Sequence, residues 1–299
     1  MRYPLWFAVL LAFVIAAPLR AGGKVAIVRS SGFSLYEKVV QSFKQASKTE
    51  IVADVVITDD GDRNEALLQD VRSKKPAVIL TLGTSATRLV REKVPSIPSV
   101  FAVVLDPTAS RLSPPGVPVD VDPVAQVDFI RRNFSRIKRV GVLYSPGLNV
   151  EAVAALERLR AGGESIVLVE VPALNKLNES IGTLADGADC LLMLSDPVIY
   201  SPQTAPQLIL QLIQRRVPIF TCFPAYVKAG ALAGLQADPV DNGRVAASIV
   251  DRILKGEKPS SIAYAWPSKY VISLNMIVAD RMSIPVPASV INSAEQVVK

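Results

Sequence analysis

Apolar residues fall along this chain in short runs broken by at most one polar residue, and between the runs they recur every three or four positions. Val25 to Val28, Ile51 to Ile57, Val78 to Leu82 and Pro98 to Val104 are of the first kind. Runs of this length, bounded by turn residues, read as strands buried on both faces of a parallel sheet. Between them, Ser34 to Ala46 sets Val39, Val40 and Phe43 on one helical face. Asn64 to Lys74 does the same with Ala66, Leu67, Leu68 and Val71, and the stretch after Ser85 with Leu89, Val90 and Val94. The alternation β-α-β-α-β-α-β predicts a sheet with helices on both faces.

The pattern breaks between Arg111 and Asp122, where Ser113-Pro114-Pro115-Gly116-Val117-Pro118 is stiff and turn-rich and suits an inter-domain crossing. A second alternation follows. Helices are predicted over 125–133, 150–161, 174–185 and 204–215, with strands over 139–144, 165–171, 190–194 and 217–222. The two halves share an architecture without repeating a sequence. In the tail, Gly230 to Leu235 reads as a strand of small residues and Asp238 or Asp241 as the cap of a helix ended by Gly256 and Pro259. Tyr270 to Leu274 reads as a last strand, and Asn275 caps a short helix to Met282.

The stretch Val78 to Thr87 carries the first chemical signal. Gly83 permits a sharp turn after a buried strand, and Thr84 or Ser85 is a natural N-cap. The amides of that helix start offer a site to a carboxylate or another anion. A helix cap with no ligand is the alternative.

Composition removes several functions. The 299 residues are half hydrophobic, carry a net charge of +6 and include no histidine. A Ser-His-Asp triad, imidazole acid–base work and histidine-ligated zinc are therefore excluded. Neither a G-x-G-x-x-G nor a P-loop pattern is present, so a two-lobed nucleotide-dependent enzyme such as a glycosyltransferase is disfavoured. The basic residues are scattered and not interleaved with aromatics, so no nucleic-acid partner is expected. Cys190 and Cys222 fit no metal or redox motif. At opposite ends of neighbouring parallel strands they would be too far apart for a disulfide, and they read as buried small hydrophobes.

Met1-Arg2 is a basic start, Leu5 to Ala17 is uncharged and apolar, and Ala21 is an acceptable small residue before a cleavage point. Residues 1–21 therefore read as a secretory signal peptide, with an uncleaved anchor as the alternative. The run is short for a membrane span. No cysteine lies near the cleavage point, so no lipid anchor is expected, and a Gram-negative periplasm fits.

Four ordered segments carry a resemblance. They are Ile79 to Ala86, with Ile97-Pro98-Ser99-Val100-Phe101 and Leu105-Asp106-Pro107; Arg139 to Pro146; Gly230 to Asp238, with Gly243 to Ala247 and Ile253 to Gly256; and Leu274-Asn275 with Ile284-Pro285-Val286-Pro287. Through these the chain resembles periplasmic substrate-binding proteins of ABC-type importers, the ABC_sub_bind family.

The resemblance implies an α/β fold of two Rossmann-like lobes with parallel sheets, a type I periplasmic binding protein, with three crossing segments. A ligand cleft lies between the lobes, and hinge closure surrounds a small molecule. It divides the chain into a first lobe over 22–115 with a returning segment near 238–270, and a second over 116–237 with a returning segment near 271–299. Carried over by position, the cleft candidates are Ser31, Thr84, Ser85 and Asp106 on one lobe, and Tyr144, Asp196 and Phe223 on the other. Asp238 lies by the last crossing.

Some relatives are associated with aromatic amino acids. For such a ligand the Thr84-Ser85 amides would hold the carboxylate, Asp106, Asp196 or Asp238 the ammonium, and Tyr144 and Phe223 the side chain. Asp106 and Asp196 precede proline, where an aspartate also starts a turn. The chain departs from the family in Ser113 to Pro118, in Ser195-Asp196-Pro197 and at Pro239. The expected partners are a small solute and an ABC permease in the inner membrane, with no cofactor and no catalysis, in a monomer. A periplasmic module that partners a sensor kinase is the alternative.

Overall fold

A computed structural model describes residues 23–299 except Ala109. The signal peptide predicted over 1–21 lies outside the described residues. In chain order the first half runs β1 (Lys24–Arg29), α1 (Ser34–Ala46), β2 (Glu50–Val56), α2 (Gly61–Ser73), β3 (Val78–Leu82), α3 (Thr84–Lys93), β4 (Ser99–Val104) and β5 (Gly116–Pro118). Then come α4 (Pro123–Asn133), β6 (Val140–Tyr144), α5 (Val150–Ala161), β7 (Ile166–Glu170), α6 (Leu177–Gly187), β8 (Cys190–Leu192), α7 (Ala205–Gln214), β9 (Ile219–Thr221) and α8 (Pro224–Ala229). The tail is β10 (Ala233–Ala237), α9 (Pro239–Leu254), β11 (Tyr270–Asn275), α10 (Met276–Met282), α11 (Ala288–Ser293) and β12 (Ala294–Val298).

Two sheets result. The first has the order β2-β1-β3-β4-β5 and is parallel throughout. The second has the order β12-β11-β10-β9-β8-β6-β7, and among the described residues its β10–β11 pair alone is antiparallel. Strand alternation splits each core into two layers. On β1, Val25 and Ile27 face α1 and α9, while Ala26 and Val28 face α2 and α3. In the second sheet Val140, Val142, Leu192 and Phe220 pack under α4, α5 and the C-terminal helices. Leu143, Leu191, Met193 and Ile219 pack under α6, α7 and α8.

Helix α9 belongs with the first sheet although it follows β10 of the second. It packs on α1 so closely that a Cβ at Gly243 would stand 2.3 Å from Val39 O and 2.9 Å from Phe43 N. A hydrogen there lets the two helix backbones meet.

The chain thus crosses between the lobes over 119–122, at 237–238 and at 269–270, and the start of α9 gathers all three crossings. Asn242 Nδ2 donates to Pro118 O at 2.9 Å, and Asp238 N–H donates to Lys269 O at 3.0 Å. Asp241 accepts from Ser268 N–H, Ser268 Oγ and Lys269 N–H, and also from Arg244. Burial opposes the Asp241 charge, but these donors together hold its carboxyl below the usual range.

Several elements differ from the sequence reading. Gly116–Pro118 pairs with β4, so the first lobe's sheet extends past residue 115. Pro224 starts a helix that was not expected, and Gly230 ends it at φ 129°, so β10 begins at Ala233 rather than Gly230. Helix α11 and strand β12 were also unforeseen, and the second sheet gains an edge strand from them. The N-cap of α3 is Gly83 (φ 86°, ψ 164°), not Thr84 or Ser85, because glycine alone adopts that backbone cheaply. Cys190 and Cys222 are free and buried, and burial pushes both thiols up.

Candidate ligand cleft between the lobes

Apart from β11 and β12, which run the other way, the strands of both sheets direct their carboxyl ends toward a cleft between the lobes, where open α/β sheets bind ligands. One cavity of about 490 Å³ is lined by Thr84, Arg88, Leu105 and Asp106 from the first lobe and by Ser195, Asp196, Phe223 and Tyr226 from the second. A larger open cavity of about 1050 Å³ shares Leu105 and Phe223 with it. Phe33, Tyr36 and Lys38 form one wall of the larger cavity, and Gln236, Asp238, Ser273 and Gln296 lie opposite.

On the first lobe the local backbone aims side chains into this space. At Val103 (φ 56°) the register of β4 shifts against β5, and Asp106 follows at φ 33°. A β-branched residue and an aspartate at positive φ are strained, and a bulge of this kind re-aims the next side chains. Here it presents Leu105 and Asp106 to the cleft. At the end of β3, Gly83 leaves room for its neighbours: a Cβ would stand 2.3 Å from Tyr36 Oη and 2.7 Å from Ser30 Oγ. Ser30 Oγ accepts Ala86 N–H at 2.9 Å and so caps α3 from a distance. Thr87 N–H goes to Gly83 O at 3.2 Å. No hydrogen bond among the described residues engages the Thr84 and Ser85 amides.

The two lobes touch through carboxylates. Asp106 Oδ2 accepts Asn149 N–H at 2.9 Å, and Asn149 Nδ2 donates to Ser195 O at 3.2 Å. Asp120, on the first crossing, accepts Asp106 N–H at 2.7 Å and the Ser195 hydroxyl. Asp106, Asp120, Asn149 and Ser195 enclose a small cavity of about 40 Å³ together with Glu151.

A family model for ABC transporter substrate-binding proteins matches residues 24–298. The chain belongs to this family. Solved structures show the same fold at low identity. The ligand-free, open structure of CD0873, a Clostridium difficile substrate binding protein with adhesive properties, is 18% identical, and the match covers 93% of this chain and 99% of that one, with a TM-score of 0.70. An ABC domain from Streptococcus pneumonia in complex with L-Trp is 19% identical, with 92% and 100% covered and a TM-score of 0.58. A conserved domain protein from Vibrio cholerae is 20% identical, with 92% and 99% covered and the same TM-score of 0.58. A search of curated proteins returned no match. The two-lobed periplasmic-binding architecture expected from the resemblance is therefore the fold of this chain.

Within this substrate-binding fold the residues expected to meet a ligand scatter into different roles. Thr84, Asp106, Asp196 and Phe223 line one cavity together. Asp238 and Phe223 line the larger one. Asp196 is 2% exposed, and its carboxylate is committed to three backbone donors: Ser145 N–H at 2.7 Å, Val198 N–H at 2.9 Å and Ile199 N–H at 3.0 Å. It ties the loop after β8 to the loop after β6. Asp238 Oδ1 accepts Val240 N–H at 2.8 Å and caps α9. Ser85 is exposed and is not among the residues lining these cavities. Ser31 is partly buried, and its neighbour Ser30 makes the contact to α3. Tyr144 pairs with Glu170 and is raised by burial and by the charges of Glu170 and Glu157, so it sits on the α5–β7 side.

Residues that sequence reasoning passed over complete the cleft. Phe33 is 70% exposed and tilts against Tyr36 at 6.3 Å between ring centroids. Phe223 meets Tyr226 edge-on at 5.8 Å. Tyr226 Oη donates to Tyr200 O at 2.5 Å and Tyr200 Oη to Leu143 O at 3.2 Å. Burial raises both phenols, which stay neutral donors at physiological pH. Gln236 Nε2 donates to Ser273 Oγ at 2.6 Å on the wall opposite Phe33. The signals were present but faint: an aromatic just outside a helix start, one amide in a strand of small apolar residues, and Asp120 alternating with valines in Val119-Asp120-Val121. Among the described residues no group of three or more His, Cys, Asp or Glu could hold a metal ion.

Proposed function

We propose that this chain is the extracytoplasmic receptor of an ABC importer and that it captures a small zwitterion with an apolar or aromatic side chain between its lobes. One observation carries the reading. The start of α3 and the Asp106 carboxylate stand on one wall of a single cavity, and Phe223 and Tyr226 stand on the other. The Thr84 amide at the start of α3 suits a carboxylate, Asp106 suits an ammonium group, and the paired rings suit an apolar side chain. The L-Trp complex of the Streptococcus protein of the same fold supports an aromatic amino acid as the first probe. The predicted leader supports a periplasmic location, and in this reading a monomer whose lobes close on the solute hands it to an inner-membrane permease.

The test is a thermal-shift and calorimetric screen of the mature chain against L-tryptophan, L-phenylalanine, L-tyrosine, sugars and nucleosides. Saturation with L-tryptophan at about 100 times its Kd should stabilise the fold by about 2.7 kcal/mol. Stabilisation by sugars or nucleosides with no response to any amino acid would overturn the assignment.

A further inference from the structure

Asp120 stands between the lobes with no lysine or arginine among the residues that line its cavity. Its two carboxylate oxygens have different partners. Oδ2 takes the N–H of Asp106, the strained aspartate that reaches Asn149 of the second lobe. Oδ1 takes the hydroxyl of Ser195, which belongs to the loop after β8 of the second lobe. Resting on the cleft being the site of solute capture, we propose that Asp120 is a positioning residue for that capture. It orients Asp106 against the second lobe and makes the contact between the lobes depend on a proton.

The surroundings of Asp120 are acidic or neutral on every side. The loop after β4 brings Asp106, the N-cap of α5 brings Asn149 and its first turn Glu151, and α4 brings Gln126. The end of β9 brings Cys222, and the segment before β11 brings Tyr264, with Arg91 interacting beyond the tyrosine. On its own segment, Asp122 is turned to the cap of α4. Burial pushes the Asp120 carboxyl up to about 6, further raised by the Asp106 charge and opposed by the hydrogen bonds from Ser195 and Asp106 N–H.

The sign follows from linkage. When the lobes part, the carboxyl meets water and returns toward its ordinary value of 3.8; when they meet, it binds a proton more readily. The contact is therefore favoured as pH falls through about 6, and between pH 7 and pH 5 its population ratio should rise about tenfold. The chemistry survives protonation. The carboxyl O–H can donate to Ser195 Oγ, which turns from donor to acceptor, while the other oxygen still accepts Asp106 N–H.

Single-molecule energy transfer between dyes on Glu65→Cys in α2 and Arg158→Cys in α5 reads the lobe contact without any solute; both positions are exposed and the native cysteines are buried. The expected result is an approximately tenfold rise in the ratio of contacting to parted molecules from pH 7 to pH 5. Asp120→Asn keeps an acceptor for Asp106 N–H and offers a donor to Ser195. It should hold the ratio at the acidic level at every pH, with its fold checked by urea unfolding. Ser195→Ala removes a hydrogen bond that favours the charged form, so the midpoint should move up in pH.

A flat or reversed wild-type profile, an Asp120→Asn profile as steep as wild type, or an unmoved midpoint in Ser195→Ala would each overturn the proposal. Calorimetry with L-tryptophan over the same pH range separates the two readings. Loss of solute binding with the transfer profile intact would count against the solute assignment and leave the proton linkage standing.

Discussion

The Asp106 carboxylate of the first lobe and the Asn149 backbone amide of the second are joined by a hydrogen bond of 2.9 Å. Both residues sit at positive φ, 33° for Asp106 and 53° for Asn149. Two strained backbones therefore meet at one contact in the middle of the cleft, where strain is held in place by the surrounding fold. Asp120 supports the first and Ser195 the second, since Asn149 Nδ2 donates to Ser195 O.

Asp106→Ala removes the acceptor that reaches Asn149. A hydrogen bond to a charged group is worth about 1.5–3 kcal/mol, so solute affinity should fall roughly ten- to a hundredfold in calorimetry with L-tryptophan. An affinity equal to wild type would separate this carboxylate from capture.

Phe223 lines both cavities and packs edge-on against Tyr226. Phe223→Ala should weaken L-tryptophan more than L-alanine, by about 1 kcal/mol or more beyond the shared loss. Competition binding of the two amino acids checks this, and equal losses would place the ring outside the side-chain subsite.

Gly83→Ala puts a Cβ into Tyr36 Oη and Ser30 Oγ at a backbone of φ 86°. The clash and the left-handed strain should together cost about 2–4 kcal/mol of first-lobe stability. Urea unfolding measures it, and a change under 0.5 kcal/mol would mean that Tyr36 simply swings away.

Asp241 is held below the usual carboxylate range by Arg244, Ser268 and Lys269. A depressed folded value means that its contribution is present above the unfolded value, about 3.9, and is lost as pH falls through the folded one. Asp241→Asn should lower stability at pH 7 by about 3 kcal/mol and flatten the acid limb of the stability curve below about pH 4. Thermal unfolding from pH 2.5 to pH 7 tests both, and an unchanged acid limb would assign the acid sensitivity to other carboxylates.

Much of the fold was legible because its strands are buried on both faces. Val78 to Leu82 and Val25 to Val28 are wholly buried, so continuous apolar runs marked them without ambiguity. The strands that were missed or shifted are of another kind. Strand β12, Ala-Glu-Gln-Val-Val, lies at a sheet edge with mixed exposure and carries no such signal. The start of β10 was misplaced because Pro224 begins a helix whose end at Gly230 resembles the start of a strand of small residues.

The cleft was legible only as a set of strand ends. Thr84, Asp106 and Phe223 were reached by knowing that ligands sit at the carboxyl edge of such sheets. Asp196 and Asp238 were reached by the same rule, yet Asp196 spends its carboxylate on three backbone amides and Asp238 one oxygen on capping α9. In the sequence, an aspartate before proline looks the same whether it faces a solute or caps a turn.

By itself the sequence determined the parallel α/β class, the doubling of the pattern and the absence of imidazole chemistry, because hydrophobic periodicity and composition are properties of single segments; the family entered separately, through the resemblance of four ordered segments and the match over residues 24–298. The tertiary structure alone decided that α9 returns to the first lobe, that Asp241 and Asn242 gather the crossings, and that Asp120 bridges Asp106 and Ser195. Those relationships join residues up to 124 positions apart, and they depend on which backbone donors a carboxylate meets after the chain has crossed between lobes. No local pattern encodes that meeting, since the energy of a buried carboxylate is set by partners that sequence distance does not reveal.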